Sequence, residues 1–144
     1  MPEDTQLSDS DGVFLVKTAR MAVTEFLSNG KRIKLESEHE KRFSFNSGVF
    51  VTLNNADGLR GCIGFPMPDK KLSNGIIDAA IAAATEDPRF SPVKTNELND
   101  IVFEVTVLTP PVEITVTNPM EYLEKIKVGR DGLIIRNSFS SGLL

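Results

Sequence analysis

The chain has 144 residues, 40% apolar and 25% charged, the size and balance of one globular domain and not of a disordered, fibrous or repeat protein. Sixteen bases against twenty acids leave a net charge of −4, which argues against a nucleic-acid or anionic-membrane binder. One cysteine, Cys62, and one histidine, His39, exclude an internal disulfide, a multi-cysteine zinc site and an iron–sulfur cluster. No metal site and no cofactor motif is expected. Without a signal pattern or a membrane-length apolar run, the reading is a soluble, cytoplasmic protein.

Residues 1–11 hold Glu3, Asp4, Asp9 and Asp11 and no base, so the remainder is balanced at sixteen to sixteen. This acidic leader is expected to fray, with Ser8 or Ser10 capping the first helix. That helix is predicted from about Asp11 to Asn29, because Leu15, Ala19, Ala22, Val23, Phe26 and Leu27 recur on one face. Asn29-Gly30 stops it. Residues 31–46 read as irregular or weakly extended, a solvated connection carrying His39. A hairpin follows, with alternating Val49, Val51 and Leu53, a turn at Asn55 to Gly58, and a return strand from Leu59 to Gly64.

The second helix spans Leu72 to Thr85 on a stripe of Ile76, Ile77, Ala80, Ile81 and Ala84, and Pro88 ends it. Ile101 to Leu108 is a regular strand, stopped by Pro110-Pro111. Asn118-Pro119 opens a short helix, and Gly129 to Gly132 turns into a strand from Leu133 to Arg136. Hairpins alternating with helices imply an α+β fold with a mainly antiparallel sheet flanked by helices. One domain, 12–144, is the expectation. The apolar Gly142-Leu143-Leu144 reads as the start of another element, as if the chain lacked its C-terminal end.

Chemistry concentrates in Leu59-Arg60-Gly61-Cys62-Ile63-Gly64. Glycines inside a strand signal a bulge or a backbone that something approaches closely. Gly61 and Gly64 are therefore candidate ligand contacts. Period-two alternation puts Arg60 beside Cys62 on one face, where a cation lowers a thiol's pKa. Cys62 is either a thiolate nucleophile tuned by Arg60 or an inert, buried apolar residue. Glu86-Asp87-Pro88-Arg89 places two acids against a helix C-terminus, an arrangement that needs compensation by Arg89 or Arg60. Asp87 and Arg89 thus form either a structural clamp or part of a site. Glu104, on the Ile101–Leu108 strand, is an exposed strand residue, an arginine's partner or an acid/base.

The hexapeptide resembles the signature of the AMMECR-one family, and the likeness continues through Gly48 to Leu53, Asp87 to Val93, Glu97-Leu98, Glu104 to Leu108 and Gly129 to Gly132. The resemblance implies an α/β fold with an antiparallel sheet, a larger and a smaller subdomain, and a cleft near the hexapeptide. It implies no settled activity. By family association it points to Memo-like and radical-SAM proteins as partners, in a modification or metabolic pathway.

Three functions remain open on the residues. One is an enzyme or enzyme partner, with Cys62 as nucleophile, Arg60 tuning it, and Glu104 or Asp87 as acid/base. The second is a binding module in which Arg60 and Arg89 recognise an anionic ligand or a protein partner. The third makes the hexapeptide purely architectural, with Arg60 paired to Asp87 or Glu104.

Overall fold

The computed structural model describes residues 6–143, so Glu3 and Asp4 of the acidic leader, and Leu144, lie outside it. Helix α1 runs Asp9–Asn29, starting two residues before the predicted Asp11. Its start is fixed by a reciprocal cap: the Ser8 side chain accepts from the Asp11 amide, and the Asp11 carboxylate accepts from the Ser8 amide. Asp9 and Asp11 thus form the first turn, where the helix dipole favours acids. Arg42 reinforces that end by pairing with Asp11 at 2.6 Å, holding its carboxyl at about 2, below the ordinary aspartate value. Gly30, at φ +72°, closes α1 in the left-handed conformation.

The stretch expected to be irregular contains a short helix, α2 (Ser37–Arg42). No side chain caps it, so the local sequence gives little signal. Tertiary contacts hold it instead: His39 stacks on Phe14 of α1 at 3.9 Å, and Phe43 at its end is buried. Strands β1 (Gly48–Asn55) and β2 (Gly58–Phe65) form the expected hairpin, followed by α3 (Leu72–Thr85). A 3₁₀ turn, Thr95–Asp100, then leads into β3 (Val102–Leu108). All neighbours in the sheet are antiparallel, in the order β2-β1-β3, as an α+β reading requires.

The core lies on one face of this sheet. Val49, Val51, Leu53 and Phe103 meet Ile76, Ile77, Ala80 and Ala84 of α3 and Leu15, Ala19, Ala22 and Val23 of α1. Helix α3 is apolar nearly all round because it is buried nearly all round, and its alanines let backbones approach closely. Alternate residues point to the second face: Phe50, Thr52 and Asn54 on β1 are half-buried, and Val102, Glu104 and Thr106 on β3 are exposed.

By its internal contacts the chain divides into two compact units, Met1–Pro110 and Pro111–Leu144. The second unit holds α4 (Glu121–Lys125) and a small antiparallel pair, β4 (Ile134–Arg136) with β5 (Ser141–Leu143). Helix α4 starts later than Asn118-Pro119 suggests, after a tight turn in which the Asn118 side chain accepts from the Met120 amide. Gly142-Leu143, read as the start of an element, lies in β5. No helix among the described residues is long and apolar enough to cross a membrane.

Candidate functional site

Pairing of β1 with β2 is regular from Val49↔Phe65 to Leu53↔Gly61 and then slips, Asn54 facing Leu59. Arg60 is the extra residue of a bulge. The alternation that would set Arg60 beside Cys62 therefore breaks between them. The guanidinium turns instead to the segment after α3. Its Nε and Nη2 donate to the two carboxylate oxygens of Glu97 at 2.9 and 3.2 Å, and Nη1 donates to the Ser91 carbonyl at 2.9 Å. Neither Asp87 nor Glu104, the partners expected, receives it. The Arg60 hydrogen bonds, with one from the Lys94 amide, hold the Glu97 carboxyl below the ordinary range. This pair is a staple between β2 and the 3₁₀ turn. Arg60→Ala should cost about 1–2 kcal/mol in urea denaturation, between an exposed and a buried ion pair. It should leave the alkylation rate of Cys62 within about twofold of wild type, since Arg60 faces Glu97 and not the thiol.

Asp87 and Arg89, and not Arg60, are the charged side chains that reach Cys62. It follows the C-terminus of α3 and is 4% exposed, and a buried carboxylate there needs compensation. Oδ1 accepts from the Arg89 amide and Nε at 3.1 and 3.0 Å, and Oδ2 accepts from Arg89 Nη2 at 2.8 Å and the Cys62 amide at 2.9 Å. Arg89 foremost, helped by the two amides, outweighs burial and keeps this carboxyl well below the usual aspartate range. The clamp joins the end of α3 to the middle of β2.

Arg89 also donates from Nη2 to the Cys62 carbonyl at 3.4 Å. Its side chain is 56% exposed, and among the described residues Nη1 has no hydrogen-bond partner. Asp87 therefore orients a cation beside the Cys62 backbone, with one nitrogen that no described residue occupies. Cys62 itself is half-buried, its sulfur 3.2 Å from Thr52 Oγ1. Thr52 lies between Cys62 on β2 and Glu104 on β3 in the strand register. Glu104 is exposed and two strands from the thiol, about 10 Å by strand spacing, too far for direct proton exchange with it.

The two candidate ligand glycines are filled from within. A Cβ on Gly61 would strike the Ala83 carbonyl oxygen of α3, and one on Gly64 would strike the Val49 carbonyl and the Phe50 ring. The close approach signalled by these glycines is made by the chain's own helix and ring. Thr52 and Glu97, by contrast, carried no chemical signal in the sequence. Thr52 becomes visible only with the bulge, and Glu97 only through a contact 37 residues away.

A family model described as AMMECR1 matches residues 16–144. A protein of Methanothermobacter thermautotrophicus is 50% identical over 138 residues, covering 96% of this chain and 72% of its own. One from Methanopyrus kandleri is 49% identical, covering 96% and 68%. The crystal structure of an uncharacterised protein from Pyrococcus horikoshii superposes with a TM-score of 0.90 at 48% identity, covering 96% of this chain and 70% of that one.

Proposed function

The chain belongs to the AMMECR1 family, which has no assigned activity, and from that premise we propose a cytoplasmic enzyme or enzyme partner working through the Cys62 thiol on a carboxylate- or phosphate-bearing substrate. The observation that carries this reading is the Arg89 guanidinium, fixed beside Cys62 by a buried Asp87, more than half exposed, and without a partner at Nη1 among the described residues. A pre-oriented guanidinium binds an oxyanion with little further loss of side-chain freedom. Cys62, whose carbonyl receives Arg89, carries the single thiol of the sequence and is the nucleophile this reading assigns. Partners of the Memo-like or radical-SAM kind, which the family resemblance implies, belong to the same reading as suppliers or consumers of the substrate.

The test compares a charged with a neutral alkylating reagent. In native protein, Cys62 should react with iodoacetate faster relative to iodoacetamide than free cysteine does. Arg89→Gln should lower that ratio about fivefold, the effect of about 1 kcal/mol of anion attraction. A thiol that reacts with neither reagent until the chain is unfolded in urea overturns the reading.

A second reading is favoured by one observation: among the described residues only Thr52 hydrogen-bonds the sulfur, and no imidazole or carboxylate does. A module that binds an anion at Arg89 without chemistry needs no base. It predicts that phosphate or citrate raises the melting temperature equally in wild type and in Cys62→Ala.

A further inference from the structure

On the reading that Cys62 is the working thiol, we propose that Thr52 is its positioning residue, the hydroxyl fixing the sulfur and supplying the hydrogen bond that the ionised thiol needs. The argument starts from the backbone. Cys62 donates its amide to Asp87 and receives Arg89 on its carbonyl, so both groups point outward, away from β1. In an antiparallel ladder the residue opposite then forms a non-hydrogen-bonded pair, the kind in which side chains lie closest. That residue is Thr52, and its Oγ1 is 3.2 Å from the sulfur. The outward clamp on β2 and the short contact across the sheet are two consequences of one register.

The hydroxyl favours the ionised state. A neutral thiol is a weak donor and a weak acceptor, so its bond to a hydroxyl contributes little. A thiolate accepting from the Thr52 O–H makes a charge-assisted bond, roughly twice as strong as a neutral one. The Thr52 amide and carbonyl face β3, making Thr52 and Glu104 the wider, hydrogen-bonded kind of pair. Glu104 therefore leaves the hydroxyl to the sulfur, and no hydrogen bond joins the two side chains among the described residues. The charged groups placed around the thiol are Arg89 and Asp87 beyond β2, Glu104 on β3, and Arg60 on β2 itself, which Glu97 holds.

Thr52→Val keeps the size and strand preference of the side chain and removes only the hydroxyl. Expected is a three- to tenfold slower alkylation of Cys62 by iodoacetamide at pH 7, with the rate–pH profile moved to higher pH. Thr52→Ser should restore both to within twofold, and the melting temperatures of all three proteins should agree within a few degrees. A valine variant with wild-type rate and profile overturns the role of Thr52 while leaving the thiol site standing. A valine variant slowed in step with a lowered melting temperature, and not rescued by serine, makes the residue merely structural and also overturns the proposal. If Cys62 is unreactive in every folded protein, the thiol site falls as well, so the two failures are distinguishable.

Discussion

Gly61→Ala is expected to lower the stability of the protein by about 3 kcal/mol, read as a fall in the urea midpoint at unchanged slope. The new methyl group has nowhere to go, because its position is taken by the carbonyl oxygen of Ala83. That atom belongs to the backbone of α3, so no rotamer change relieves the clash. Either the helix lifts from the sheet or β2 shifts away from it, and both open the contact at Val51, Leu53, Ala80 and Ala84. Gly12→Ala is the control. It lies in α1 with nothing near its missing side chain, and alanine there should be neutral or stabilising by up to about 1 kcal/mol. A Gly61→Ala protein within 1 kcal/mol of wild type would show that α3 does not rest on β2 as described.

Asp87→Ala is expected to cost about 2–4 kcal/mol, because it strips the clamp and leaves the part-buried Cys62 amide without its acceptor. Arg89 rehydrates, since half of its side chain already meets water. The effect should depend on pH in a definite direction. The folded carboxyl lies well below the unfolded value of about 3.9, so its contribution is complete above that pH and is lost as the medium is acidified below it. The gap between wild type and Asp87→Ala in urea midpoint should thus be full at pH 6 and should narrow steadily from about pH 4 downward. Asp11 and Glu97, held below their ordinary values by Arg42 and Arg60, weaken both proteins over the same acid range and cancel in the comparison. A gap that stays constant to pH 3 would mean that ionisation of Asp87 contributes nothing.

Much of the fold was legible because its elements carry their own signals. The apolar stripe of α1, the alanine stripe and Pro88 stop of α3, and the alternation of Ile101 to Leu108 depend on nearest neighbours alone. Helix α2 was not legible, since what holds it is the Phe14–His39 stack with a residue 25 positions earlier. The contacts within the site were hidden for a sharper reason. A plain hairpin around Asn55 and Gly58 would set Cys62 opposite Val51, whose side chain points into the core. The one-residue bulge at Arg60 moves the partner to Thr52, on the other face. The glycines of the hexapeptide announced an irregularity without saying on which residue it falls. Because Arg60 is that residue, it goes to Glu97, and the cation beside the thiol is Arg89. The pairing of Asp87 with Arg89 was within reach because the two are neighbours in sequence. The bond from Asp87 to Cys62 was not.

The clamp on Cys62 also bears on how the molecule avoids sticking to itself. Strand β2 is an outer strand of its sheet, and an outer strand with free amides and carbonyls is a template on which another chain can polymerise. At the middle of β2 both groups of Cys62 are occupied by side chains, Asp87 on the amide and Arg89 on the carbonyl. The Arg60 bulge interrupts the regular spacing two residues earlier. Loss of Asp87 would therefore do more than loosen a helix end: it would uncover a docking register for foreign strands, and such a protein should be prone to form fibrils even where most of it remains folded.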